Sequence, residues 1–238
     1  MSKAQKDAPA LPAVPDELRG IIRQRGASGK VEGVLPGKII LDEAFTEEAM
    51  KAELRKRYPL VHIASHFQMK PGNETDSFLL LGDGSHLTLE ELKHSSNLFG
   101  GVELLTLSAC NTATGGVGAD GKEVEGFGML AQKQGAKAVV ASLWPVADKS
   151  TRLLMQRFYQ IRNSHPGMLK AEALRRAQLV LLLGVETVAT TNEQRRQLGL
   201  EAPPGTRGSG QKAFVKDPKK PYAHPYFWAP FILIGNWK

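Results

Sequence analysis

The sequence predicts an α/β fold built on a mostly parallel central sheet, and three observations predict it. Residues 60–64 (LVHIA), 102–109 (VELLTLSA) and 137–143 (KAVVASL) are short apolar runs without strict alternation, the pattern of strands covered on both faces. Helical patterns of ordinary length separate these runs, as parallel crossover connections require. Two of the runs end in chemistry: 60–64 leads to His66, and 102–109 leads to Cys110, the one cysteine among 238 residues. Open α/β sheets bind ligands outside the carboxyl ends of their strands, so a thiol and an imidazole carried there would share one crevice.

Composition bounds the reading. A chain of 238 residues with 42% hydrophobic and 23% charged residues has an ordinary globular balance. No apolar segment approaches the roughly 20 residues needed to cross a bilayer, and the first residues lack the apolar core of a signal peptide, so the expected compartment is the cytoplasm, without membrane association. A lone cysteine makes no internal disulfide; it is either a small buried hydrophobe or a reactive thiol. The formal charge of +7 raises an anionic partner, but the cations are spread over several helices and no nucleic-acid reading motif accompanies them. Nucleic acid is therefore not expected as a partner, and no cofactor or metal site is expected.

Residues 1–15, rich in Pro and Ala, read as a flexible leader or linker stub, and 16–24 as a short amphipathic helix. Residues 38–41 (KIIL) read as a strand, and Thr46 opens a helix, acidic in its first turn and basic in its last, as the helix dipole favours. With 60–64 this makes a strand, helix, strand unit. His62 falls inside that second strand and is expected to be packed with a local hydrogen bond, whereas His66 lies beyond the last apolar residue, where a side chain can meet solvent. Residues 78–81 and 86–89 flank Gly82-Asp83-Gly84-Ser85 as a β-hairpin, and Thr88 with Glu91 forms a capping box for the next helix.

After Cys110 the small residues 111–116 (NTATGG) allow close backbone approach, and their amides suit a developing oxyanion; the plainer reading is a flexible turn. Residues 123–134 read as a helix stopped by Gly135, whose inner Gly126 and Gly128 imply close packing. Asp148 reads as the N-cap of a helix running to about Arg162 with Leu154, Phe158 and Ile161 on its apolar stripe, and 168–183 as the clearest helix. Residues 184–222 form a loop-rich excursion, and 231–234 a buried final strand among aromatics.

A cysteine attacks a carbonyl only as thiolate, and a histidine is the usual base that supplies it, which makes His66 and Cys110 a candidate dyad. LVHIASH, LLLGDG, LLTLSACNT, EVEGFGMLAQKQGAKAVVASLWPVAD and HPYFWAPFILIG together closely resemble the CHAT domain, a caspase-like peptidase domain often found after tetratricopeptide repeats in bacteria. The resemblance covers about 11–237 and makes residues 16–238 one domain with the 184–222 excursion as an insertion. It implies a caspase-haemoglobinase-like three-layer α/β/α sandwich and a cysteine endopeptidase acting on a protein or peptide substrate. His66 would be the general base or acid and Cys110 the nucleophile, with the backbone at Phe67, Cys110 and Asn111 lining an oxyanion hole or cleft. Asp83 and Asp148 are candidates for a basic residue of the substrate, though they also fit a turn and a helix cap.

Two departures stand out. Phe67 occupies a place where caspase-like enzymes commonly have Gly, which would strain the backbone if that place needs φ > 0. No clear strand precedes residue 38, so the first core strand of such a sheet is not evident. The alternative function is a weakly active or inactive CHAT-like module that binds a partner through the same cleft, with an upstream repeat domain or regulatory protein as a further expected partner.

Overall fold

The computed structural model describes residues 1–5, 8–26, 29–68, 70, 73, 75–108, 122–184 and 217–238, the side chains of 122–126 excepted. In chain order the elements are α1 (Val14–Ile21), β1 (Gln24–Arg25), β2 (Val31–Glu32), α2 (Glu47–Leu54), β3 (Leu60–Ile63), β4 (Phe67–Gln68), β5 (Phe78–Leu80), β6 (His86–Thr88), α3 (Leu89–His94), β7 (Leu104–Leu107), α4 (Lys122–Lys133), β8 (Ala138–Ser142), α5 (Asp148–Ser164), α6 (Lys170–Leu183) and β9 (Phe231–Gly235). The central sheet has the order β3-β7-β8-β9. Its first three strands are parallel and β9 closes one edge antiparallel.

Alternation along the strands sorts two apolar layers. Leu104 and Val140 face the side where Ile21 of α1, Leu154 and Phe158 of α5 and Leu181 of α6 pack. Leu105, Leu107 and Val139 face the other, against Met50 and Leu54 of α2, Leu92 of α3 and Phe127 of α4. The result is the expected α/β/α sandwich. Each such side chain, fully buried, contributes roughly 1.5–3 kcal/mol of transfer free energy, so the strands' apolar runs fix which elements become central.

Local signals place the helices. Thr46 accepts the Ala49 N–H at the start of α2, and Thr88 with Glu91 forms the complete capping box of α3. Gly128 sits so close to β9 that an added Cβ would stand 2.4 Å from Ile234 Cδ1, and Gly135 ends α4 with φ 101°. The 78–89 segment is the expected hairpin, antiparallel with Leu79 opposite Leu87, and β4 adds to it as a third strand.

Three expectations are corrected. Residues 38–41 are in no strand: among the described residues the sheet ends at β3, and nothing pairs with 38–41 from that side. The first helix is α1 at Val14–Ile21, not 16–24, because Pro15 is tolerated in a first turn and Ile22 turns extended to bridge Leu35. Asp148 is the first residue of α5, and Ala147, at φ −62° and ψ 128°, is its N-cap. Residues 1–5 and 8–15, read from composition as a leader, lie against the molecule: Met1 and Val14 are buried, and Ser2 donates to the Asp42 carboxylate at 2.6 Å. The 184–222 excursion falls largely outside the described residues.

Candidate active site

The site begins with the register of two neighbouring strands. Ile63 of β3 pairs with Leu107 of β7 in parallel, and Ser108 N–H donates to the Ile63 carbonyl at 3.1 Å. His66 lies three residues past Ile63, and Cys110 lies three residues past Leu107. Cys110 and Asn111 lie outside the described residues, the last of which on this strand is Ser108, itself buried.

The sequence reading put His66 near solvent; the structure buries it, with 6% of the residue exposed. Its Nε2 lies 2.8 Å from the Pro9 carbonyl oxygen. A carbonyl only accepts, so Nε2 carries the proton and Nδ1 holds the lone pair. Nδ1 is buried and has no hydrogen-bond partner among the described residues. Burial holds the His66 pKa below its ordinary value, with the Pro9 carbonyl working against that. The imidazole is therefore neutral at neutral pH, with an acceptor nitrogen turned to the protein side. The Pro9 carbonyl thereby fixes the tautomer and the orientation of the His66 ring. Sequence reasoning missed it, because a backbone carbonyl delivered by a Pro- and Ala-rich segment has no signature.

Phe67 follows directly as the first residue of β4. It is buried, packs edge-on against Phe127 with ring centroids 4.5 Å apart, and is not among the residues with positive φ. The strain that phenylalanine would carry in a left-handed conformation does not arise. Leu80 N–H donates to the His66 carbonyl while Phe67 pairs with Leu79. That places Phe67 at a non-hydrogen-bonded pair of the ladder, with its own N–H directed away from β5.

The two aspartates separate. Asp83 is exposed in the hairpin loop, and its Oδ1 accepts from Ser85 N–H at 3.0 Å and Ser85 Oγ at 2.6 Å, so its carboxylate closes a turn. Asp148 is half-buried, and its Oδ2 accepts the Ala13 N–H at 2.6 Å. Burial pushes its pKa up, opposed by the Ala13 hydrogen bond. The segment that places Pro9 over His66 is thus tied at Ala13 to the start of α5.

His62 is packed as expected, within a larger network. Its Nε2 meets Glu17 Oε1 at 2.7 Å, its Nδ1 meets Tyr159 OH at 3.2 Å, and that hydroxyl lies 2.9 Å from Thr106 Oγ1. Glu17, Tyr159 and Thr106 are all buried. The network ties α1, β3, α5 and β7 together just below the ends of the two strands that lead to His66 and Cys110.

The fold and the paired strand ends accord with a family match that spans residues 1–236, the CHAT domain. The chain belongs to the CHAT domain family. That family is caspase-like and related to proteases, and in this CHAT domain His66, the second histidine of the LVHIASH segment, lies just past the carboxyl end of β3. No curated protein matches the chain. Among the described residues no group of His, Cys, Asp and Glu is arranged to hold a metal ion, and no helix is long and apolar enough to cross a membrane.

Proposed function

We propose that this CHAT domain is a cysteine endopeptidase that hydrolyses peptide bonds in a protein substrate through His66 and Cys110. The observation that carries the reading is the register: equal three-residue extensions from the pair Ile63 and Leu107 lead to the two groups. The unpartnered, unprotonated Nδ1 of His66 supports it as the atom that takes the thiol proton.

The thiolate adds to the scissile carbonyl carbon, and the negative charge passes to oxygen. Backbone N–H groups at Phe67, Cys110 and Asn111 are the proposed donors to that oxyanion, the Phe67 amide being the one directed away from its hairpin. Collapse expels the amine, which leaves with the proton held on His66 Nδ1, and a thioester to Cys110 remains. Water then attacks the thioester with His66 as base, releasing the acid and the thiol. The Pro9 carbonyl keeps the ring in the tautomer these transfers require. Asp148 is proposed to meet a basic residue of the substrate; Asp83 is occupied by its turn.

The test is hydrolysis of an unfolded protein mixture, with new amino termini read by mass spectrometry for the wild-type chain, Cys110→Ala and His66→Ala. New termini with the wild-type chain alone support the proposal. Identical termini from all three proteins, or none from any, refute it.

A further inference from the structure

The carbonyl that meets His66 sits on a segment with little packing of its own. Pro9, Ala10 and Pro12 are exposed, so burial does not fix the Pro9 carbonyl at 2.8 Å from His66 Nε2. Its position is set at the two ends of the segment. On one side Gln5 and Ala8 exchange backbone hydrogen bonds of 3.0 and 3.1 Å, and Gln5 Nε2 donates to the Gly82 carbonyl at 3.0 Å. On the other side Ala13 N–H donates to Asp148 Oδ2 at 2.6 Å.

The Ala13 end depends on Asp148 for a reason written in the sequence. Ala13 is the N-cap of α1, and its methyl group can cap nothing. Pro15 brings no N–H to the first turn, and Val14 N–H donates to the Leu11 carbonyl at 3.1 Å. The Ala13 N–H remains, on a buried residue, and its partner comes from another helix. In a capping box a Glu of the same helix accepts from the N-cap N–H; here a carboxylate 135 residues away does so. Its negative charge also stands at the positive end of α1.

Three residues of α5 spaced four apart present one face to this part of the chain. Asp148 holds Ala13, Arg152 Nη1 lies 3.3 Å from the Asp16 carboxylate, and Gln156 Nε2 donates to the Asp16 carbonyl at 2.6 Å. The pair of Arg152 and Asp16 is exposed and contributes little. Of the three, Asp148 meets the chain nearest Pro9, four residues away. Pro12 fixes one φ angle between them and the Leu11 carbonyl closes a turn to Val14, so a shift at Ala13 carries to Pro9.

We infer that Asp148 is a positioning residue for His66: through the Ala13 N–H it holds the Pro9 carbonyl on Nε2, and so keeps the proton off Nδ1. This role rests on the reading of His66 as the base of the dyad. It leaves room for a basic residue of the substrate at Asp148, since a carboxylate accepts about four hydrogen bonds and Ala13 takes one.

The test uses the full chain with nitrogen-15-labelled histidine at about pH 8, where imidazoles are neutral. The two ring nitrogens of His66 are read by NMR and assigned by their loss in His66→Gln. In the wild-type chain one nitrogen carries the proton, and the two resonances stand far apart. In Asp148→Ala the Pro9 carbonyl is released, the tautomers exchange, and the resonances should draw together. Labelling of Cys110 by iodoacetamide, which carries no charge for Asp148 to recognise, should fall about tenfold. Asp148→Asn keeps an acceptor oxygen and should restore both readings. Arg152→Ala, on the same face but bonded to Asp16, should change neither. If circular dichroism shows Asp148→Ala unfolded, Asp148→Ser, which suits a helix start but falls short of Ala13, takes its place. An unmoved His66 spectrum overturns the inference, as does an Asp148→Asn protein perturbed as much as Asp148→Ala. An equal change in Arg152→Ala marks a general loosening of α1 and overturns it too. Resonances that draw together while labelling is equally slow in every protein, His66→Ala included, uphold the positioning and refute the dyad.

Discussion

Removing one hydroxyl group, in Tyr159→Phe, probes the network beneath the candidate site. Tyr159 is 1% exposed, and its OH lies 2.9 Å from Thr106 Oγ1 and 3.2 Å from His62 Nδ1. The variant keeps the ring and its edge-on contact with Phe158, so no large cavity forms. What changes is that Thr106 Oγ1 and His62 Nδ1 each lose a partner in a dry interior. An orphaned buried polar group costs about 1–3 kcal/mol, offset in part because the tyrosine hydroxyl no longer needs desolvation, so the net loss is about 2 kcal/mol. For a chain of this size that corresponds to a fall in Tm of roughly 4–8 °C. Urea unfolding followed by circular dichroism, with m unchanged, measures it. Stability within about 0.5 kcal/mol of the wild type, the range of an ordinary surface substitution, would refute the view that the network holds α1, α5, β3 and β7 together.

Acid stability gives a second outcome. His66 has a pKa held below its ordinary value by burial, so the unfolded chain binds more protons below about pH 6.5 and stability falls as pH drops through that value. His66→Gln should flatten this part of the stability profile in urea titrations at pH 5 to 7, a slope equal to the wild type's contradicting it. Gly128→Ala should cost about 1–3 kcal/mol by overpacking, since the new methyl would meet Ile234 Cδ1 at 2.4 Å; calorimetry showing no loss would mean that β9 yields freely.

Much of the fold was legible because it rests on local apolar runs. The strands at β3, β7 and β8 were visible as runs without alternation, and Thr46 and Thr88 marked their helices through capping chemistry alone. Residues 38–41 misled for a physical reason: a strand is completed by a partner, and a composition suited to a strand says nothing of whether one is there. Asp148 misled differently. An acidic residue suits both the cap and the first turn of a helix, and here its carboxylate reaches across to Ala13.

The candidate site was legible in its side chains and hidden in its backbone. His66 stood out by its place after an apolar run, but the group that meets its Nε2 comes from a Pro- and Ala-rich segment that composition alone marks as unable to build a core. Pro9 contributes a carbonyl, and every residue has one; only the path of the chain gives it a role. The Glu17 and His62 contact joins residues 45 apart in sequence and could not be paired by spacing. Phe67 shows the converse, a departure from a family pattern that the observed strand geometry accommodates without positive φ.

The central claim is that His66 acts on Cys110, and the rate at which an uncharged alkylator such as iodoacetamide labels Cys110 tests it most directly. In the wild-type chain at pH 7, labelling should exceed that of free cysteine by about tenfold, because an adjacent base raises the thiolate fraction. His66→Ala should return the rate to that of free cysteine or below. Equal, slow labelling of both proteins would contradict the account.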